Sequence, residues 1–291
     1  MVIIDWKSLS GVAQEYVDRL ISWAKYPRRK TFFGDVVNKI GVPAFRDLIL
    51  CSPQRLKNYP CPANLDADKV YDAYDVFFKS KGADRENNAI WLMHRLNIKV
   101  CPYCNRIYTF SLNSKNKIRP QFDHFFPRSD SLYKHLAISF YNLIPSCPAC
   151  NGRKSTEIYD FHPYYGSLIK GGQTPKIHII DNKVVYDKNG QPILFPEKPE
   201  IKIDNPNKNT NHLALEELYK HHSDYAKEIL DKIIAYNAAY FDPLIKEFQG
   251  MGRTPEEIDK LIWGNYIDDA HHTNRPLSKM TQDILEQFGI I

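Results

Sequence analysis

The chain has 291 residues, of which 43% are hydrophobic, 13% aromatic and 25% charged, and its formal net charge is +5. This composition is typical of a globular protein and excludes collagen-like, low-complexity and strongly charged disordered chains. The first residues lack the basic and apolar regions of a signal peptide, and no later run is apolar enough to span a bilayer. We therefore expect a cytoplasmic protein that has no membrane partner.

The first 98 residues combine amphipathic segments with loop signals such as Tyr59-Pro-Cys-Pro62. Between residues 73 and 99, apolar and polar residues alternate at roughly helical spacing. The pattern predicts a helical N-terminal lobe over residues 1–98. Beyond it, two short apolar runs at 107–112 and 118–122 flank the polar segment Asn113–Asn116, and this arrangement predicts a β-hairpin.

Four cysteines form two C-x-x-C pairs, Cys101 with Cys104 and Cys147 with Cys150, separated by 42 residues. Two such pairs can bring four thiolates tetrahedrally onto one zinc ion, and this type of site is structural because no coordination position stays open. Such zinc can contribute on the order of 10 kcal/mol to folding. A redox role for Cys101-Pro-Tyr-Cys104 is disfavoured, since the residues that follow look extended, whereas a reactive dithiol needs a helix N-terminus.

Charge is distributed unevenly along the chain. Residues 99–156 carry nine Lys and Arg side chains against two Asp, a net of +7, which is typical of a polyanion-binding segment. Residues 197–291 carry 11 basic against 17 acidic side chains, a net of −6. The acidic region is therefore expected to pack or to dock a protein rather than to contact nucleic acid.

Residues 166–212 are rich in Gly, Pro, Asn and Lys and predict a connector that contains a β-hairpin. Its two strands are expected at Lys176–Ile180 and Lys183–Tyr186, around the turn signal Asp181-Asn182.

A C-terminal helical region is predicted over residues 213–291. Apolar residues from Leu213 to Tyr236 follow one face of a long helix. Thr254-Pro-Glu-Glu257 supplies an N-cap, a proline at the first helical position and a capping-box glutamate for another helix. A last helix is expected from Pro276 to Phe288.

Between the cysteine pairs lies Gln121-Phe-Asp-His-Phe-Phe-Pro127, followed by Tyr141-Asn-Leu-Ile-Pro145, and the second pair continues as Cys150-Asn-Gly-Arg-Lys154. His124 can act as a general base because an imidazole titrates near neutral pH. Asp123 offers a carboxylate oxygen and Asn151 an amide oxygen to Mg²⁺ or Mn²⁺. Neighbours in a strand point to opposite faces, so Asp123 and His124 should lie where a strand ends.

These segments resemble the HNH (His-Me finger) endonucleases over about 65 residues, in the order Asp-His-x-x-Pro, Asn-Leu and C-x-x-C-Asn/His-x-x-Lys. This chain has one extra residue between His124 and Pro127, and Asn rather than His at the third position. The resemblance implies an α+β protein in which residues 99–165 form a ββα-metal module with structural zinc. It also implies that Asn142 holds the loop after the first strand through backbone hydrogen bonds.

The resemblance implies metal-dependent hydrolysis of nucleic acid to a 5′-phosphate and a 3′-hydroxyl, with DNA favoured over RNA. Arg153 and Lys154 are expected near the start of the helix after the second cysteine pair, where side-chain charge and N–H groups can bind phosphate. The size and helical flanks are similar to those of Septu-type and retron-associated anti-phage nucleases. No G-x-x-x-x-G-K-[ST] motif occurs, so an ATPase would be a partner chain.

Two other interpretations stay open. One is a catalytically silent, zinc-stabilised module that binds nucleic acid without cutting it. The other is a chiefly structural subunit whose helical flanks assemble a complex.

Overall fold

A computed structural model of the protein describes residues 1–25, 34–112, 121–181, 183–236 and 238–291. Its residue contacts divide the chain into an N-terminal unit, Ile3–Tyr103 with Ile107–Gly172, and a C-terminal unit, Met1–Val2 with Cys104–Arg106 and Gln173–Ile291. The described residues combine helices with two-stranded antiparallel sheets, so the expected α+β class is confirmed. The predicted helical lobe and the predicted nuclease module fall largely in the N-terminal unit.

Helices dominate the first hundred described residues. Their bounds are Ser10–Ala24 (α1), Asp35–Ile40 (α2), Val42–Ile49 (α3), Pro53–Leu56 (α4), Ala67–Lys79 (α5) and Asn88–Leu96 (α6). The segment 73–99 contains the end of α5 and the whole of α6. The chain leaves α5 at Ser80, and the side chain of Asn87 then accepts hydrogen bonds from the backbone N–H groups of Ala89 and Ile90, which begins α6.

The N-terminal unit has an aromatic core. Helix α5 buries Val70, Ala73 and Phe77, which recur at the three- and four-residue spacing of one helix face. Tyr16 and Trp23 of α1 both contact Phe77 edge-to-face, with ring centroids 5.9 and 5.3 Å apart. This packing leaves the opposite face of α5 available to other parts of the unit.

A β-β-α arrangement follows these helices. Strand β1 (Phe122–His124) pairs antiparallel with β2 (Leu143–Pro145), and Asp123 lies opposite Ile144. Helix α7 (Pro148–Lys154) begins inside the second cysteine pair, with Pro148 in its first turn. Strand β1 ends at His124. This agrees with the expectation that Asp123 and His124 lie at the end of a strand, where neighbouring side chains need not point to opposite faces.

The hairpin predicted between the cysteine pairs is not seen in the described residues. Residues 107–112 form one isolated bridge, between Val100 and Tyr108, instead of a strand. Residues 113–120 lie outside the described part of the chain. Phe122, which was expected to end the second hairpin strand, pairs with Pro145 instead.

The remaining strands lie after residue 160. They are Phe161–His162 (β3) with Gly166–Ser167 (β4) in the N-terminal unit, and Lys176–Ile179 (β5), Val185–Tyr186 (β6), Pro192–Leu194 (β7) and Ile201–Asp204 (β8) in the C-terminal unit. Strand β5 pairs with β8, and β6 pairs with β7.

The strand locations predicted for this region are correct, but their pairing is wrong. The turn that forms is at Asn189-Gly190, where Gly190 has φ +77° and donates to the carbonyl of Asp187 (3.0 Å). Glycine adopts a positive φ at little steric cost, and this favours a tight turn at Gly190 that joins β6 to β7. Asn182, part of the predicted turn, lies outside the described residues.

Helices return in the C-terminal unit. Their bounds are Lys208–His212 (α8), Leu215–Lys220 (α9), Ser223–Ala235 (α10), Ala238–Gly250 (α11), Pro255–Trp263 (α12) and Ser278–Gln287 (α13). The long helix predicted from Leu213 is interrupted at His221 and His222. The predicted capping box of Thr254 and Glu257 is confirmed by both reciprocal hydrogen bonds, and α13 lies within the predicted range. Among the described helices, none combines the length and apolar character needed to cross a bilayer.

Candidate active site and metal centre

The two cysteine pairs come together as one cluster. The sulfur atoms of Cys101, Cys104, Cys147 and Cys150 all lie within 4.8 Å of one another, and all four residues are buried. Four sulfurs around a tetrahedral zinc, with Zn–S bonds near 2.3 Å, would be about 3.8 Å apart, and zinc favours thiolate ligands. The cluster therefore fits a metal ion such as zinc, and the expected grouping of these cysteines is confirmed.

Local hydrogen bonds explain how the cysteines are held. The backbone N–H of Cys101 donates to the carbonyl of Ile107 (3.0 Å), which closes the turn that contains the first pair. Cys147 occupies the N-cap position of α7, and its sulfur accepts from the N–H of Cys150 (3.5 Å). The beginning of α7 thus fixes the second pair.

Asp123 is a buried carboxylate with two side-chain partners. The hydroxyl of Tyr103 donates to its Oδ2 (2.6 Å), and the ammonium group of Lys154 contacts Oδ1 (3.2 Å) and Oδ2 (3.1 Å). Tyr103 lies inside the first cysteine pair, while Lys154 ends the helix that begins in the second. Each cysteine pair therefore contributes one nearby side chain to Asp123.

Burial raises the pKa of the Asp123 carboxyl, and the charge of Lys154 and the Tyr103 hydrogen bond oppose this shift. Burial also lowers the pKa of Lys154, an effect opposed by Asp123. The two groups stabilise each other's charged forms in a place where either charge alone would be costly.

His124 is held by one hydrogen bond and one ring contact. Its Nε2 donates to the carbonyl of Ala137 (2.9 Å), because a carbonyl oxygen can only accept. The ring also packs against Tyr74 of α5, with centroids 4.5 Å apart. Burial, with the nearby charge of Arg128, lowers the pKa of His124 to about 3. At neutral pH the imidazole is therefore uncharged, and its lone pair is on Nδ1.

Asn142 makes the backbone contacts that its expected role requires. Its amide oxygen accepts from the N–H of Phe126 (2.8 Å), and its amide nitrogen donates to the carbonyls of Phe126 and Leu136 (both 3.1 Å). Its own carbonyl accepts from the N–H of Phe125 (2.9 Å). Asn142 is completely buried, and it anchors the loop that directly follows His124.

One cavity of about 260 Å³ brings most of the predicted site residues together. Asp123, His124 and Asn151 line it, together with Tyr74 and Arg128. The amide nitrogen of Asn151 donates to Oε1 of Gln121 (3.2 Å). Two hard oxygen donors therefore border the same space as a neutral imidazole. The Lys154 ammonium beside Asp123 would oppose the binding of a second cation there, so the fit to Mg²⁺ or Mn²⁺ is weaker than the fit of the cysteines to zinc.

Two placements differ from the sequence expectation. Arg153 and Lys154 lie in the last turn of α7, not near its start, because the helix already begins at Pro148. The first-turn N–H groups of the helix are therefore at the second cysteine pair, where that of Cys150 donates to the Cys147 sulfur. Arg153 is exposed, whereas Lys154 is completely buried and its ammonium also donates to the carbonyl of His124 (2.9 Å). In this arrangement Lys154 supports the strand and is not among the residues that line the cavity.

Sequence reasoning missed Tyr74, Tyr103 and Arg128. Tyr103 carried a signal, since it lies between two cysteines of the predicted metal site, and so did Arg128, which directly follows the motif at Pro127. Tyr74 carried none, because it reaches the cavity from α5, about fifty residues earlier in the chain.

Comparisons with protein-family models, with characterised proteins and with solved structures found no match to this chain.

Proposed function

We propose that the protein is a metal-dependent HNH endonuclease that hydrolyses phosphodiester bonds of nucleic acid. One observation carries this proposal. His124, Asp123 and Asn151 line the same cavity, at the end of a β-β-α arrangement whose helix begins at the four-cysteine cluster. These residue types, in the chain order Asp123, His124 and Asn151, are those expected of the family that the sequence resembles.

His124 supplies the general base. Its Nε2–H bond to Ala137 fixes the ring, and the lone pair on Nδ1 can accept a proton from a water molecule. The water oxygen then bonds to phosphorus, the P–O3′ bond breaks, and the leaving oxygen takes up a proton. A phosphate anion in the cavity would offset the charge of Arg128 and raise the pKa of His124 toward neutral pH.

Asp123 and Asn151 would hold the catalytic cation, and bound Mg²⁺ or Mn²⁺ would neutralise phosphate charge and stabilise the leaving oxygen. For Asp123 to bind such an ion, the Lys154 ammonium must share or release the carboxylate. Zinc held by the four cysteines would serve the fold only.

The proposed substrate is DNA, and the basic segment 99–156 is the proposed binding region. A role in bacterial anti-phage defence, with an ATPase or another defence protein as partner, follows from the family resemblance alone. The acidic residues of 197–291 are the proposed docking surface for that partner.

A catalytically silent nucleic-acid-binding module is the second candidate, and one observation favours it. The Asp123 carboxylate is already bound by Tyr103 and Lys154, so a divalent ion would compete with an existing counter-charge. In this alternative the zinc-stapled unit binds DNA but does not cut it.

Plasmid nicking with end-group analysis tests the proposal. Purified, zinc-loaded protein should nick supercoiled plasmid with Mg²⁺ or Mn²⁺ and should be inactive in EDTA added after zinc loading. DNA ligase should seal the nicks directly, because the predicted ends are a 5′-phosphate and a 3′-hydroxyl.

Cleavage that persists in EDTA, or nicks that ligase cannot seal, would contradict the proposed chemistry. Retarded migration of DNA without any nicking would favour the silent-binder alternative.

A further inference from the structure

Arg128 is the basic residue that lines the candidate cavity with His124 and Asn151, yet the sequence pattern assigns it no task. It directly follows Pro127 and so lies four residues after His124. Its side chain is 23% exposed, so it is neither a solvated surface arginine nor a buried structural one.

Two tyrosines of α5 hold this guanidinium in place. The Cζ atom of Arg128 lies 4.6 Å from the ring centroid of Tyr71 and 4.6 Å from that of Tyr74. Cation–π contacts of this kind attract the guanidinium to both rings and restrict the side chain before any ligand arrives. Tyr74 also contacts the ring of His124, so one aromatic side chain orients both groups.

The hydrogen bonds of Arg128 leave part of its donor capacity unused. One terminal nitrogen donates to the carbonyl of Tyr71 (3.3 Å), and the other contacts the two carboxylate oxygens of Asp75 (3.3 and 3.4 Å). All three bonds are long, and the Asp75 side chain is 43% exposed. A guanidinium has five N–H groups, so at least two have no partner within the described part of the chain.

We propose that Arg128, positioned by Tyr71 and Tyr74, binds the non-bridging oxygens of the phosphate that is cut. This inference rests on the proposed nuclease function and deepens it. A planar guanidinium is suited to two phosphate oxygens at once, and its charge stabilises the additional negative charge that develops as water attacks. The assignment replaces Lys154, which is buried and does not line the cavity.

The molecule provides a matched control in Arg55. It also lies over a tyrosine ring, with Cζ 5.4 Å from the centroid of Tyr59, and it also pairs with an aspartate, Asp47 (3.2 Å). Arg55 is in the same unit but does not line the cavity. Arg55→Gln therefore removes the same kind of contacts without removing the proposed phosphate ligand.

The test compares wild type, Arg128→Gln, Arg128→Lys and Arg55→Gln. Cleavage of a fluorescein-labelled DNA duplex with Mn²⁺ should show kcat/KM about 100-fold lower for Arg128→Gln. The kcat/KM of Arg128→Lys should lie between those of wild type and Arg128→Gln, because lysine keeps the charge but not the planar guanidinium. The kcat/KM of Arg55→Gln should match wild type. Thermal melting of each zinc-loaded variant checks the fold, and Arg128→Lys carries the comparison if Arg128→Gln does not fold.

Binding of the same duplex in EDTA, by fluorescence anisotropy, separates the two proposals. Arg128→Gln should raise Kd about tenfold and reduce the slope of log Kd against log salt by about 1, which a purely structural role would not do. If wild type binds but never cuts, the nuclease proposal fails, and the comparison of Kd and salt slope still decides whether Arg128 binds a phosphate of the DNA. Equal Kd, slope and kcat/KM for Arg128→Gln and Arg55→Gln would overturn the assignment, and absence of DNA binding by wild type would overturn both proposals.

Discussion

Each unit of the protein contains a buried lysine–aspartate pair, and the two pairs are built differently. In the N-terminal unit, Lys154 of α7 meets Asp123 of β1, 31 residues earlier in the chain. In the C-terminal unit, Lys279 and Asp283 are one turn apart on α13, and Asp283 also accepts from the backbone N–H of Ile177 (2.9 Å). The first pair joins α7 to β1, and both of these elements contribute residues to the cavity. The second pair lies within α13, and its aspartate bonds that helix to β5.

The difference indicates which of the two buried pairs should have a structural role only, namely the Lys279–Asp283 pair. The Lys279 pair follows from helix geometry, because residues four apart share a face, and its remaining contact is to the edge of a sheet. The Lys154 pair lies beside both cysteine pairs, since α7 begins within one and Tyr103, which also bonds to Asp123, lies within the other. Replacing members of the two pairs should therefore affect stability in both units but activity in only one.

The largest effect is expected from removing a zinc ligand. Cys147→Ser should abolish zinc binding and unfold the N-terminal unit, because structural zinc can contribute on the order of 10 kcal/mol and this residue is the N-cap of α7. Zinc content per chain and circular dichroism on heating measure this. Cys61→Ser is the control, since Cys61 is exposed. A Cys147→Ser protein that keeps one zinc and melts like the control would show that the cluster is not a structural metal site.

The next largest effect is expected from removing the aspartate of each buried lysine–aspartate pair. Asp123→Asn and Asp283→Asn each leave a buried lysine without its counter-charge, and each should lower the free energy of unfolding by about 3–5 kcal/mol. Urea unfolding measures that loss. Cleavage per folded molecule should then fall at least tenfold for Asp123→Asn and stay near wild type for Asp283→Asn. Equal cleavage by both variants would remove Asp123 from the proposed catalytic site.

A smaller effect is expected at Asn142. Asn142→Ala leaves the buried N–H of Phe126 without its acceptor and should lower the free energy of unfolding by about 2–3 kcal/mol. Because the loop after His124 loses its anchor, cleavage should fall as well. Asn151→Ala is the comparison, and it should lose cleavage while its free energy of unfolding changes little. Asn151 is half-buried, and its side chain makes a 3.2 Å hydrogen bond to Gln121. The opposite ranking in urea unfolding would contradict these assignments.

Much of the site was predictable from local sequence. Some residue types, such as paired cysteines or a histidine beside an aspartate, serve few chemical roles, so they can be chosen as candidate site residues without knowledge of the fold. The hydrogen bonds of Asn142 and the end of β1 at His124 followed from the motif and from strand geometry. The capping box at Thr254 was predictable for the same reason, because all of its partners lie within four residues.

Long-range partners could not be predicted in the same way. Lysine is usually a surface residue, and only the fold reveals that Lys154 is buried and that its charge is neutralised by Asp123. The contact of Tyr74 with His124 depends on how α5 packs, which no local pattern encodes. Strand β5 was located correctly, but its pairing with β8 depends on residues about twenty-five positions away that compete with a nearby turn signal.

The most direct test of the central claim is cleavage by His124→Ala and His94→Ala, prepared in parallel with wild type and matched for zinc content. His94 belongs to the same unit, is half exposed and pairs with Glu86 (3.2 Å), so its replacement controls for loss of a histidine as such. The account predicts that wild type and His94→Ala nick plasmid at equal rates in Mn²⁺, with activity that coelutes with the protein, while His124→Ala is at least 100-fold slower. Equal nicking by all three proteins would contradict the assignment of His124 as the general base.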